Sequence, residues 1–147
     1  MTRHPRAYAT AAIAAALLAT SGCTGASYGT GSSGTECTIA AKINVEKGRI
    51  VASATATCAP APRLHHMTIE LQNRLGGANT TFGQIADPAT STEIPDPSTT
   101  LPIALVCLPG TWRLKAEVTG ISATGQPFSG TFYSRTLPVS LDDCKRR

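Results

Sequence analysis

The sequence predicts an all-β protein, a single antiparallel sandwich of seven or eight short strands. Apolar and polar residues alternate with period two through most of residues 36–147, a pattern typical of strands with one buried face. Helical periodicity is absent, and turn residues separate the alternating segments at short intervals. About 110 residues make one ordinary domain, and with 5% aromatic residues in the chain we expect a small aliphatic core.

The first two predicted strands, 37–45 and 50–58, form a hairpin whose register is fixed by its turn. Both segments alternate, and Lys47-Gly48 lies midway between them. If these two residues are the hairpin loop, Glu46 lies opposite Arg49 and the apolar faces of the two strands match all along the ladder.

Counting outward along this hairpin brings two cysteines together. Cys37 lies opposite Cys58 in a non-hydrogen-bonded pair, where Cα atoms are about 4.5 Å apart and within disulfide reach. Four cysteines allow three pairings, and this register favours Cys37 with Cys58, which leaves Cys107 with Cys144.

The remaining strands are predicted from the same alternation. They are 64–75, a weaker segment at 80–86, 101–108, 112–119, 128–135 and 137–141. Pro138 predicts that the last of them lies at a sheet edge. Residues 87–100 are rich in proline and polar side chains, and we expect them to be the longest irregular loop of the domain. Long loops on rigid sheets often carry binding sites.

One stretch of this region resembles a known type of domain. Residues 109–128, PGTWRLKAEVTGISATGQPF, resemble the late strand pair of bacterial immunoglobulin-like domains. The resemblance implies an immunoglobulin-like sandwich. The Cys…Trp…Cys order of antibody domains is not met, because Trp112 follows Cys107 instead of lying between paired cysteines.

The N-terminus has the features of a secretory signal peptide, predicted over residues 1–22. Arg3 and Arg6 precede an alanine-rich apolar run at 7–19, which ends in small residues. A run of about 13 residues is shorter than the roughly 20 that a membrane-spanning helix needs.

The end of this leader, Thr20-Ser21-Gly22-Cys23, resembles the lipobox of bacterial lipoproteins, with Thr20 where that family prefers leucine. The resemblance implies cleavage before Cys23, diacylglyceryl transfer to its sulfur, and anchoring at the extracytoplasmic face of the cell membrane. Cysteine parity agrees, because five cysteines leave one over after two disulfides. The following residues, 23–35, are mainly glycine, serine and threonine and predict a flexible linker.

Charge excludes one class of partner. Without Arg3 and Arg6 the chain has 11 basic and 9 acidic residues, and without 145–147 as well it has 8 and 9. The domain therefore lacks a basic face for nucleic acid. The tail 145–147 can contact anionic headgroups or serve only as a solubilising terminus. Disulfides place the domain in an oxidising compartment.

Candidate chemistry is sparse, and we predict no metal site, no cofactor and no catalytic set. His65 and His66 are adjacent on a strand and point to opposite faces, so they do not share a metal. The candidate carboxylates are Asp87, Glu93 and Asp96 in the loop and Asp142 and Asp143 near the C-terminus. The loop spacing is broken by prolines, and the C-terminal pair has basic neighbours.

These features favour a membrane-tethered, non-enzymatic binding or structural module of the cell envelope, with an unidentified protein or glycan as its ligand. The alternative is a small envelope enzyme, or an inhibitor of one, acting through the loop at 87–100. A pocket that joins either histidine to the loop carboxylates would favour this alternative.

Overall fold

The computed structural model describes residues 24–28, 37–76 and 80–145, with the backbone alone in the first of these ranges. The signal peptide at 1–22, Cys23 and the linker residues 29–35 lie outside the described residues. The described elements are β1 (Thr24–Tyr28), β2 (Cys37–Glu46), β3 (Arg49–Cys58), β4 (Leu64–Arg74), β5 (Gly83–Gln84), β6 (Ala89–Ser91), β7 (Ser98–Val106), β8 (Gly110–Ile121), β9 (Pro127–Tyr133), β10 (Leu137–Val139) and the short helix α1 (Leu141–Lys145).

These strands form two antiparallel sheets, which confirms the all-β sandwich. The first sheet has the order β1-β2-β3-β7. In the second sheet, β4 and β8 pair along their whole length. β9 and β10 also pair with β8, and β5 and β6 also pair with β4. The described residues contain ten strands instead of seven or eight because β1 and β6 were not predicted, whereas the predicted segments 80–86 and 137–141 shorten to β5 and β10, of two and three residues. Within the described ranges, no helix has the length and apolarity needed to cross a bilayer.

The core lies between the two sheets and is mostly aliphatic, as predicted. Inward-facing residues of both sheets form one buried cluster, with alanines at several positions of β2 and β3. Trp112 is the largest side chain in it, is fully buried, and donates its indole N–H to the Leu108 carbonyl at 2.8 Å.

The predicted hairpin and both disulfides are confirmed. Lys47 and Gly48 have positive φ angles of 47° and 70°, as in the two-residue turns that match strand twist. Cys37 pairs with Cys58 in the register and in a disulfide, with 4.1 Å between their Cα atoms. Cys107 forms the second disulfide with Cys144, as predicted.

Residues 24–28 belong to the segment 23–35, for which the sequence predicts a flexible linker. These residues form β1, in which Thr24 lies opposite Ala41 and Tyr28 opposite Cys37. Ladder hydrogen bonds are made by the main chain, so a glycine- and serine-containing segment can occupy the edge of β2 without apolar side chains. Amino-acid composition indicates whether a segment can bury apolar surface, so it does not predict pairing through the main chain.

The predicted irregular loop at 87–100 is also partly ordered. Ala89–Ser91 is β6 and pairs with β4, and β7 begins at Ser98 instead of 101. Pro95, between these strands, is fully buried. The irregular part is thus shorter than predicted, because residues without strand-like alternation still pair through their backbone. The prediction of an edge position for Pro138 is confirmed, since β10 ends the second sheet.

Candidate ligand-binding face

The outer face of the second sheet carries rows of polar side chains from three neighbouring strands. Antiparallel register places His66 of β4, Thr119 of β8 and Ser129 of β9 in one row. The next row contains Thr68, Glu117 and Thr131 in the same strand order. These six residues line a shallow open groove of about 430 Å³, which we call the hydroxyl groove.

The hydroxyl groove is polar and accessible. Five of its six side chains belong to exposed residues, and Thr68 is half-buried. Four hydroxyls, one imidazole and one carboxylate point to the same side of the sheet because all six residues share the outward phase of their strands. Apart from the ion pair of Glu117 with Lys115, these groups make no side-chain hydrogen bond to another described residue.

A polar network fixes the acidic wall of the groove. The Lys115 ammonium lies 3.1 Å from Glu117 and 3.8 Å from Glu70. The hydrogen bond to the Glu117 carboxylate is the main reason why the pKa of Lys115 is raised. Glu70 in turn accepts a hydrogen bond from the Gln72 amide, and Arg113 Nε donates to Gln72 Oε1 at 2.7 Å.

The same network ends in an aromatic clamp beside the groove. The Arg113 guanidinium lies between two rings, 4.0 Å from the centroid of Phe82 and 4.2 Å from that of Tyr133. Such cation–π contacts hold both ring planes in place. Tyr133 is 45% exposed and is separated from Thr131 by one residue of β9, so an ordered aromatic ring borders the groove.

The structure separates the two histidines as predicted. His66 lies on the outer face and lines the groove, whereas His65 is fully buried and tilted against the Phe128 ring at 6.2 Å between ring centroids. His65 also contacts the backbone of Glu93, in the segment between β6 and β7. The Glu93 carboxylate accepts a hydrogen bond from Thr99 at 2.9 Å.

The hydroxyl groove is not the pocket that the enzyme or inhibitor hypothesis expects, in which a histidine meets the loop carboxylates. The groove lining includes none of the loop carboxylates Asp87, Glu93 and Asp96. In the part of the chain that the structure describes, no three His, Cys, Asp or Glu side chains are close enough together to hold a metal ion. Asp142 pairs with Lys145 at 3.6 Å, and the Asp143 carboxylate accepts hydrogen bonds from Ser140.

The register also sets the spacing of the two groove residues with nucleophile and base chemistry. Ser129 and His66 have the chemistry of a nucleophile and a base, but Thr119 lies between them in the row. Two strand spacings separate their backbones by about 10 Å, whereas a base must approach its nucleophile to about 3 Å.

No known protein family matches the chain, and no curated protein or solved structure is significantly similar to it.

Sequence reasoning found the parts of the hydroxyl groove but not the groove. Alternation along the predicted strands 64–75 and 112–119 places His66, Thr68, Glu117 and Thr119 on the polar, outward faces. The missing step was the strand order β4-β8-β9, which joins residues more than 60 positions apart in the chain. The outward hydroxyls of β9, Ser129 and Thr131, were the available signal.

The burial of His65 predicts a dependence of stability on pH. Desolvation is the main cause that lowers the pKa of His65. The backbone contact with Glu93 raises this pKa, and the neighbouring charge of His66 lowers it. The unfolded chain takes up a proton near pH 6.5, whereas the folded chain does so only at lower pH. Stability is therefore complete above about pH 6.5 and falls as the pH drops below it.

Urea unfolding between about pH 7.5 and pH 5.5 measures this effect as a falling midpoint. His65→Gln is expected to flatten the dependence whatever its effect on absolute stability. The exposed His66→Gln is the matched control that keeps most of it, because desolvation and not the His66 charge is the main cause of the lowered His65 pKa. An unchanged slope in His65→Gln would show that other groups cause the acid sensitivity.

Proposed function

We propose that this chain is a lipid-anchored, non-enzymatic binding module of the bacterial cell envelope, and that its hydroxyl groove binds a glycan. The observation that carries the proposal is the groove itself, a rigid two-row array of hydroxyls, one imidazole and one carboxylate. The sandwich supplies the rigidity, because β4 and β8 pair over their full length beneath it.

The chemistry of the groove fits a hydroxyl-rich ligand. Sugar hydroxyls donate and accept hydrogen bonds, and threonine and serine hydroxyls can do either in return. Most sites for drug-like molecules have predominantly apolar walls, whereas polar side chains dominate this groove. Tyr133, held against Arg113, offers a ring face at the border on which a sugar ring can stack.

The number of cysteines supports the proposed lipid anchor. Cys37, Cys58, Cys107 and Cys144 are all disulfide-bonded, so among the five cysteines of the chain only Cys23 remains for another role. Cys23 follows the small residues of the lipobox-like site, where a thiol is the acceptor of diacylglycerol. Two or three acyl chains on this residue make anchoring stable.

Acylation is tested by labelling and mass. In a host that processes lipoproteins, the full chain is expected to incorporate labelled palmitate and to show the intact mass of a form that begins at Cys23. Cys23→Ser is expected to lose the label completely, and Ser33→Ala, in the linker, is the matched control that keeps it. An unmodified Cys23 in the mass spectrum of the membrane-extracted protein would contradict the anchor.

Glycan binding is tested by titrating the protein with maltohexaose, cellohexaose and mannohexaose while following amide NMR shifts. We expect one of these neutral glycans to shift the amides of β4, β8 and β9. Thr119→Val with Thr131→Val removes two hydroxyls without changing shape, and at about 1 kcal/mol for each hydrogen bond it weakens binding about tenfold or more.

The matched control removes a hydroxyl from the outer face of the other sheet. Thr55 and Thr100 are hydrogen-bonded to each other there at 2.8 Å. Thr55→Val is therefore expected to leave glycan affinity unchanged. Shifts that map to the first sheet, or equal affinity of the groove variant, would refute the assignment of the site.

A further inference from the structure

Three segments meet at the end of the first sheet where the β2–β3 hairpin turns. The Cys107 N–H donates to the Gly48 carbonyl at 3.1 Å, and the Cys107–Cys144 disulfide joins α1 to the same place. The Cys144 carbonyl lies 3.3 Å from the position that a Cβ on Gly48 would take. We call residues 46–49, 106–108 and 141–145 the hairpin end.

The hairpin end exposes large apolar side chains. Val106 is 73% exposed, Leu141 57% and Leu108 47%. α1 buries none of its residues, so it presents its leucine to the surroundings instead of the core. Single exposed leucines are ordinary, but three exposed aliphatic side chains in segments that one disulfide joins are a candidate interaction site.

The charged residues of the hairpin end balance within the described part of the chain, and two more basic residues follow them in the sequence. The charged residues are Lys47, Arg49 and Lys145 against Glu46, Asp142 and Asp143. Three basic and three acidic residues thus balance in the described part of this end, and Arg146 and Arg147, directly after Lys145 in the sequence, bring two further positive charges. At the opposite end, where the Cys58 N–H donates to the Pro97 carbonyl, Arg63 is outweighed by Glu93 and Asp96.

The chain polarity of β1 ties this end to the proposed anchor. β1 runs antiparallel to β2, and its first residue, Thr24, lies opposite Ala41. Followed backwards from Tyr28 to Thr24, β1 therefore runs toward the hairpin end. Because Thr24 directly follows Cys23 and is already paired, no spacer separates the lipidated residue from the sheet. A lipid on Cys23 holds the domain against the bilayer.

We propose that the hairpin end docks on the anionic surface of the bilayer that carries the anchor. Val106, Leu108 and Leu141 enter the headgroup region, while Lys47, Arg49 and Lys145 contact lipid phosphates. This orientation rests on the proposed lipid anchoring, and it leaves the second sheet, with its hydroxyl groove, away from the contact that the first sheet makes.

Quenching by brominated lipid tests the contact in the full-length, lipid-anchored protein. Vesicles contain phosphatidylcholine and about 30 mol% brominated phosphatidylglycerol, enough to mimic an anionic leaflet. The only native tryptophan, Trp112, is fully buried and supplies a constant background. We expect Leu141→Trp and Val106→Trp to be quenched. Leu64→Trp is the matched control at the opposite end, where Leu64 is 52% exposed, and it is expected to stay unquenched.

Charge neutralisation provides the second arm. Lys47→Gln with Arg49→Gln, both at exposed turn positions, is expected to lower the docked fraction of Leu141→Trp protein in anionic vesicles. At about fivefold for each charge, the docking constant falls more than tenfold. Melting curves of every variant establish that it is folded.

The outcomes separate docking from anchoring. Vesicle flotation of the protein without quenching of Leu141→Trp overturns docking and leaves the anchor intact. Failure to float overturns both. Equal quenching of Leu64→Trp and Leu141→Trp overturns the orientation. Self-association that shields Leu141→Trp from brominated lipid overturns it too, because the exposed aliphatic residues would then contact a second copy of the chain.

Discussion

Substitution of Gly120 by alanine is expected to destabilise the domain by about 3 kcal/mol or more, the upper range for overpacking. A Cβ at this position would lie 2.2 Å from the Leu64 carbonyl oxygen and 2.4 Å from the Phe128 ring. Gly120 pairs with His65 in the β4–β8 ladder, so neither the oxygen nor the ring can retreat without breaking the ladder or the core behind it.

Urea unfolding of Gly120→Ala measures this loss as a lower midpoint at unchanged slope. Gly83→Ala is the matched control, because a Cβ on this strand glycine would meet no atom within 4 Å. The control is expected to stay within about 0.5 kcal/mol of the native chain. Equal midpoints for the two variants would mean that β4 and β8 are not packed as described.

The local features of the fold could be predicted from the sequence because each depends on neighbouring residues. The β2–β3 register follows from the position of Lys47-Gly48 and the matching faces on either side. The disulfide between Cys37 and Cys58 follows from that register by counting. Inward residues of β8, such as Trp112 and Leu114, follow from alternation alone.

The features that were missed depend on partners distant in the sequence. β6 is only three residues long and exists because the middle of β4 offers it free backbone groups. β1 pairs with β2 in the same way. The hydroxyl groove requires β4, β8 and β9 to be neighbours. Alternation shows which residues of each strand face outward, but not which strands lie side by side.

Loss of the Cys37–Cys58 disulfide is the second large effect that we expect. The bridge closes a loop with a sequence separation of 21 residues. The chain-entropy account assigns about 3 kcal/mol to a loop of this size, since the unfolded chain gains the corresponding freedom. Cys37 and Cys58 are 3% and 2% exposed, so replacing both by alanine also removes packed sulfur atoms from the core.

Calorimetry of Cys37→Ala with Cys58→Ala is expected to show a melting temperature about 10 °C or more below that of the native chain. The matched control is Thr38→Ala with Thr57→Ala, the next pair along the same ladder, which lies on the outer face and is expected to cost within about 1 kcal/mol. A disulfide variant that melts like this control would mean that the ladder alone determines the stability of the hairpin. A much lower melting temperature than that of the control would show that the covalent bond determines the stability of the hairpin. This bond lies at the end of β2 where Tyr28 of β1 is also paired.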